Sequence, residues 1–232
     1  MRFFSVGIGL NIALCGLTLT SLAAVAEPPP VYSSQAISYS PEIPETIGNK
    51  VIRGTGIEFT VPRGFNGGVP TSVDTKAMTT EAKRLYPSMS AFVDALETDP
   101  TFLRAIAINT AKQEPEIVMI TQLPVPGTVG LEELREIMSK ALPSVLPTGF
   151  KLLEHKVEMV GSRQIVRLTI DVDLQGSKFK QSIGMFKEGN EIFQVTYVYA
   201  GENTRQARPV LDGIISSFKA VPTDAVTRSA RF

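Results

Sequence analysis

The chain has 232 residues, and its 23 Lys and Arg balance 23 Asp and Glu, so the formal net charge at pH 7 is zero. That balance argues against a nucleic-acid-binding protein, which usually carries a clear basic excess. One Cys, one His and no Trp exclude zinc fingers, Cys/His metal clusters and a disulfide scaffold.

The first 26 residues have the pattern of a secretory signal peptide. Arg2 supplies a positive start, residues 3–24 carry no charge, and Ala24 and Ala26 give the small-x-small pattern of a cleavage site. A retained transmembrane anchor is one alternative, since about 20 apolar residues can span a bilayer. A lipid-modified Cys15 is another. Cleavage would leave an exported chain without cysteine, so its stability must come from packing.

Residues 27–50 are rich in Pro and Ser and show no apolar periodicity. This composition is typical of a linker, either an extended tether or plain disorder. A single domain is predicted over residues 51–220, followed by a flexible tail at 221–232. It opens with an alternating strand at residues 57–61. A helical insertion follows at about 71–100, with Thr80 as a candidate cap and an apolar face from Leu85 to Leu96.

The middle of the chain contains two β-branched, apolar segments and one clear amphipathic helix. Residues 103–108 and 117–123 are predicted strands, although the first could instead continue the preceding helix. The helix buries a stripe that starts at Leu131 and is expected to end at Pro143 and Pro147. Glu132 and Glu133 lie in its first turn, where the helix dipole favours negative charge.

The next sixty residues are the most strand-like part of the sequence. Strands are predicted at residues 151–160, 166–174, 179–187 and 192–199, with short turns that indicate an antiparallel meander. A last helix buries Leu211 and Ile214 and is expected to begin close to Pro209. The pattern predicts an α+β fold in which helices cover an antiparallel β-sheet.

Three stretches resemble the PsbP-like domain family, which includes the extrinsic PsbP subunit of photosystem II and its bacterial relatives. They are residues 56–65 (GIEFTVPRGF), the helix start at 131–134 (LEEL), and a hairpin at 183–199 followed by 214–218 (IISSF). The resemblance covers roughly residues 52–219. It implies an α/β/α sandwich and a non-enzymatic role in assembling or stabilising larger complexes. Residues 71–100 depart from the family pattern, and the region 64–100 is a candidate partner surface.

Three side chains are the candidates for metal binding or catalysis. Asp171 and Asp173 lie two apart on one strand, so both carboxylates point the same way and could contribute oxygen ligands to calcium. His155 is the only histidine, with Glu154 and Glu158 nearby in sequence. An ordinary structural role on a solvated strand is the favoured interpretation of these residues, and no nucleophile motif accompanies them. No cofactor is predicted, and calcium is the one metal considered.

The basic side chains of the strand region are the candidates for partner binding. They are Lys178, Lys180, Lys187 and Arg167. They could form a basic patch for an acidic partner, or simply the solvated face of a sheet whose lysines oppose aggregation.

The leading hypothesis is an exported module that binds a protein complex at or near a membrane, in the periplasm or, in a photosynthetic host, the thylakoid lumen. The alternatives are a small-ligand or lipid carrier with an apolar pocket between sheet and helices, and a hydrolase that uses Asp171, Asp173 or His155.

Overall fold

A computed structural model describes residues 49–85, 102–109, 111–112, 116–146, 148–174, 177–200 and 204–221. The strands are β1 Asn49–Gly54, β2 Ile57–Pro62, β3 Phe65–Gly68, β4 Leu103–Asn109, β5 Glu116–Leu123, β6 Phe150–Val160, β7 Arg163–Leu174, β8 Ser177–Glu188, β9 Glu191–Ala200 and β10 Lys219–Ala220, and the helices are α1 Val73–Leu85, α2 Leu131–Val145 and α3 Thr204–Ser217. The predicted signal peptide and most of the predicted linker and tail lie outside these residues.

Two antiparallel sheets organise the fold. The larger has seven strands in the order β3-β4-β5-β9-β8-β7-β6, and the smaller has three in the order β1-β2-β10. Strands β6 to β9 form the meander that the sequence predicted. Gly161 and Gly189 turn the chain at φ values of 59° and 61°, a left-handed conformation that glycine adopts without steric cost.

One face of the large sheet packs against α1 and α2. Helix α2 buries Leu134, Met138 and Leu142, the stripe predicted from its 3.6-residue period. The opposing side chains include alternate residues of β7, from Val166 to Val172. Since successive strand residues point to opposite faces, this placement assigns the remaining residues of β7 to the other side of the sheet.

The second face packs against α3 and the small sheet. Helix α3 buries Leu211, Ile214 and Ile215 against aromatic side chains of β8 and β9. Strands β1 and β2 complete this layer with apolar residues such as Phe59, which is fully buried. Helices therefore lie on both faces of an antiparallel sheet, which confirms the predicted α+β class.

Helix α1 begins earlier than the sequence predicted. The Ser72 hydroxyl accepts a hydrogen bond from the Thr75 amide at 3.2 Å, as an N-cap side chain does. Thr80, the predicted cap, lies inside the helix and donates to the Lys76 carbonyl at 2.9 Å. The rest of the predicted apolar face of this helix, at residues 86–96, lies outside the described residues.

Two prolines lie inside helices that the sequence predicted them to bound. Pro143 is within the last turn of α2, which ends at Val145, before Pro147, the other proline predicted to end it. Pro209 is the sixth residue of α3 rather than near its first. A helical proline removes one backbone donor and crowds the preceding turn. Both rings are exposed, and the apolar stripe of each helix holds it on the sheet despite the missing hydrogen bond. Within the described residues, no helix is long and apolar enough to cross a membrane.

Gly54, at the end of β1, marks the closest approach of the small sheet to the large one. A Cβ atom there would collide with the Arg104 carbonyl oxygen and lie 2.7 Å from Ala105 Cβ. We expect Gly54→Ala to lower the free energy of unfolding by about 1–3 kcal/mol, the usual effect of overpacking. Chemical denaturation measures the change.

Gly213, on the exposed side of α3, is the matched control. A Cβ atom at this position meets no atom within 4 Å. Alanine is the better helix former, so Gly213→Ala should raise the free energy of unfolding by up to about 1 kcal/mol. Equal effects of the two substitutions would contradict the close packing of the two sheets.

Candidate functional site

Arg167, predicted as part of a basic patch, is the buried member of a cluster of ion pairs. Its side chain is 3% exposed and donates to Glu158 on β6 and to Asp212 on α3. Lys156 and Arg208 approach the same Glu158 carboxylate at 3.0 and 2.8 Å. The cluster joins the edge of the sheet to α3.

The charges in this cluster shift one another's pKa values. Burial by itself raises the pKa of Glu158, but the hydrogen bonds from Arg167 and Lys156 and the charge of Arg208 outweigh it and hold that pKa below its usual value. Burial opposes the charged form of Arg167, yet its bonds to Asp212 and Glu158 raise its pKa. Both groups are therefore charged at neutral pH and stabilise the fold.

A second buried polar cluster surrounds Glu116, which is 2% exposed. Asn109 donates to one carboxylate oxygen at 3.0 Å and Lys112 to the other at 2.6 Å. Burial, together with the charge and hydrogen bond of Glu116, raises the pKa of Tyr197. The bonded carboxylate ties the β4–β5 connection to the centre of the sheet.

A mixed-charge surface, here called the charged strip, lies at the end of the large sheet on its α3 side. It consists of Lys151 on β6, Asp171 and Asp173 on β7, and Lys178 and Lys180 on β8. Asp171 stands between Lys151 and Lys180, and Asp173 stands opposite Lys178. Side chains directly opposite in antiparallel strands are close enough to interact. Lys151, Asp173 and Lys178 are exposed, and the other two are half-buried.

The structure separates several residues that the sequence had grouped. Lys187 lies on the α2 side of β8, because it shares a face with Ile183 and Met185, and it donates to the Gly127 carbonyl. His155 also lies on the α2 side, opposite Leu168. The sheet therefore stands between His155 and the pair Asp171 and Asp173.

Among the described residues, the candidate metal ligands do not come together in one site. No group of three or more His, Cys, Asp or Glu side chains there could hold a metal ion. Asp171 and Asp173 each lie opposite a lysine, and calcium takes six or more oxygen ligands. Glu154 and Glu158, the other residues considered beside His155, project from the opposite side of β6. Calcium binding stays a prediction without a ligand set.

The cavities lined by described residues lie at the margins of the fold. One of about 660 Å³ is beside the start of α2 and is lined mainly by polar residues, among them Ser162, Gln164 and Lys187. Another of about 390 Å³ opens between β2 and α3. The carrier hypothesis requires an apolar pocket between sheet and helices, and it stays a prediction.

Sequence reasoning missed the partners that explain these charges. Asp212 lies 45 residues from Arg167, so local patterns give no sign of the contact. Glu116 follows a polar connection and begins a strand, a position that usually faces solvent. Its neighbours Asn109 and Lys112 are within seven residues, and a hairpin register is the signal that could have joined them.

Comparison with known proteins gives similarity at the level of solved structures. No protein-family model matches the chain, and no curated protein matches its sequence. Cyanobacterial PsbP (CyanoP) from Synechocystis sp. PCC 6803 is similar with 12% identity and a TM-score of 0.45, covering 79% of this chain and 98% of that one. It bears the name of the family that the sequence motifs resemble.

Two other similar structures come from different settings. The Ran-binding protein Mog1p of Saccharomyces cerevisiae has 12% identity and a TM-score of 0.47, covering 77% of this chain and 98% of that one. LpqN of Mycobacterium tuberculosis, involved in cell envelope biogenesis, has 12% identity and a TM-score of 0.41, covering 77% and 93%. Similarities this low assign neither a partner nor an activity to this chain.

The lowered pKa of Glu158 predicts how acid acts on the fold. A carboxyl group whose folded pKa is depressed contributes stability above its unfolded pKa and loses it as pH falls through the folded value. Glu158→Gln should therefore be less stable than the parent chain at pH 7, and the difference should vanish in acid below the usual Glu range of about 4.3. Denaturant titration across pH measures this.

Glu136→Gln is the control, because Glu136 lies beyond the first turn of α2 and forms an exposed ion pair with Lys140 at 3.9 Å. Exposed pairs contribute little to stability, so this variant should follow the parent chain at every pH. If Glu158→Gln also follows the parent chain at pH 7, the cluster does not stabilise the fold.

Proposed function

We propose that this chain is an exported, non-enzymatic module that binds and assists a protein complex at or near a membrane. The observation that carries the proposal is the charged strip, a patterned surface of lysines and aspartates on adjacent strands. The signal pattern of residues 1–26 supports export, to the periplasm or, in a photosynthetic host, to the thylakoid lumen.

The geometry of the strip suits recognition of a protein. Its five side chains stand on three hydrogen-bonded strands, so their spacing is set by the sheet rather than by a mobile loop. A partner with the reverse pattern of charges can meet it without ordering the backbone, which lowers the entropy lost on binding. Alternating charges also reject surfaces of a single sign, because like charges then lie opposite one another.

The placement of the candidate catalytic residues favours binding over catalysis. A general base and its partner must lie within hydrogen-bond reach of one reacting group. His155 and the pair Asp171 and Asp173 project from opposite faces of the sheet, so they cannot serve one reaction. In the charged strip the two aspartates lie opposite lysines. Recognition of a charged partner surface would use the aspartates and the lysines together.

Reversing two strip charges tests the proposal. The tagged chain is purified from its own membranes at low and at high salt, beside a Lys178→Glu/Lys180→Glu variant. We expect the parent chain to recover a large complex at low salt and to lose it at high salt, because ions screen exposed charges. The variant should recover at least about tenfold less, since repulsion replaces attraction at two positions.

A control variant with two lysines reversed outside the strip separates the effect of the strip from the effect of net charge. Lys140 on α2 and Lys219 on β10 are exposed, so Lys140→Glu/Lys219→Glu changes the net charge equally and should recover the complex as the parent chain does. Equal recovery by the strip variant and the control would place the partner surface elsewhere. A chain recovered alone at both salts would contradict the proposed function and favour the carrier hypothesis.

A further inference from the structure

Among the described residues, strand β6 has a hydrogen-bonded neighbour on one side only. It is the last strand in the order of the large sheet and runs for 11 residues. Within the part of the chain that the structure describes, β7 is the only strand paired with it. An edge of this length presents a row of backbone donors and acceptors to which a further strand can pair.

A bulge decides which side chains of this edge share a face. The pairing with β7 shifts between Leu152 and Glu154, so Leu153 is the extra residue. On the α3 side the strand presents alternating charges, in the order Lys151, Glu154, Lys156, Glu158. On the α2 side it presents Phe150, Leu152, His155, Val157 and Met159.

This pattern is complementary to itself when the strand is reversed. We propose that β6 pairs antiparallel with β6 of a second copy of this chain, with the two-fold axis at His155. If each copy keeps its bulge, Glu154 then stands opposite Lys156 of the partner copy. Lys151 stands opposite Glu158.

The other face of the paired strands matches equally well. Leu152 stands opposite Val157, and Phe150 stands opposite Met159, which is 61% exposed in the single chain. Pairing would cover this apolar surface and satisfy the edge backbone, and the side chains on both faces favour the same register. The two seven-stranded sheets would become one continuous sheet.

The charges also exclude the neighbouring registers. Moving the axis by one residue sets either Lys156 or Glu154 directly opposite its own copy, and like charges in that position repel. Lys156 already contacts Glu154 at 2.6 Å within one chain. Both side chains are more than a third exposed, and exposed ion pairs exchange partners at little cost.

A single charge reversal and its compensating swap test the register. Sedimentation of the full chain from micromolar to millimolar concentration should show a reversible dimer. Lys156→Glu sets two carboxylates opposite each other at two symmetric places and should raise the dimer dissociation constant at least about tenfold. Glu154→Lys/Lys156→Glu exchanges the charges and should restore dimerisation. Lys140→Glu, which breaks an exposed pair on α2, should dimerise as the parent chain does.

A cysteine at the axis gives a second test that does not depend on charge. Opposed residues of antiparallel strands have Cα atoms about 4.5–5.5 Å apart, within the range of a disulfide. In a chain carrying Cys15→Ser, His155→Cys should therefore form a disulfide-linked dimer on mild oxidation, whereas Lys140→Cys should form no disulfide-linked dimer. A monomeric parent chain at millimolar concentration, undiminished dimerisation of Lys156→Glu, a swap that fails to restore the dimer, or equal cross-linking of the two cysteine variants would each overturn the proposal.

Discussion

The position of α3 on the sheet depends on the buried guanidinium of Arg167. A charge removed from water is tolerated only when it is paired and hydrogen-bonded. Glu158 supplies one partner from β6 and Asp212 supplies the other from α3. Because the two carboxylates come from different elements, the helix cannot slide along the sheet without leaving the guanidinium unpaired. The apolar stripe of α3 provides the attraction, and the ion pairs select the alignment.

The large sheet could be predicted from the sequence because its signals are local. The alternation from Val166 to Val172 in β7 and the glycine-containing turns define a meander without any knowledge of distant residues. The same alternation correctly put Arg167 on the opposite face, but it could not indicate that a helix covers that face. Coverage by α3 depends on tertiary packing, which also explains why Pro209 is accommodated inside this helix.

Some features of the candidate site could likewise be predicted from local sequence, and others could not. A short hairpin fixes its own register, so the opposition of Asp173 and Lys178 is implied by the sequence around the β7–β8 turn. Lys187 and Lys180 are an odd number of residues apart on one strand, so the alternation of side chains predicts that they lie on opposite faces of the sheet. Neither inference follows from grouping lysines by proximity in the sequence. Glu116 was hidden for another reason, since its burial requires Asn109 and Lys112, which precede it by seven residues or fewer, to meet Tyr197 of β9.

The surfaces left for partners lie together at the β6 to β8 end of the large sheet. There the buried charges hold the fold, while the charged strip and the edge of β6 stay accessible. The most direct test of the role of the buried charge compares the free energies of unfolding of Arg167→Met and Arg208→Met. Arg208, unlike Arg167, is 56% exposed. The account predicts a loss of about 3 kcal/mol for the first, because Glu158 and Asp212 lose their buried cation and keep only contacts to more exposed cations such as Arg208. It predicts a loss of at most about 1 kcal/mol for the second. Equal losses would contradict the claim that Arg167 holds the helix to the sheet.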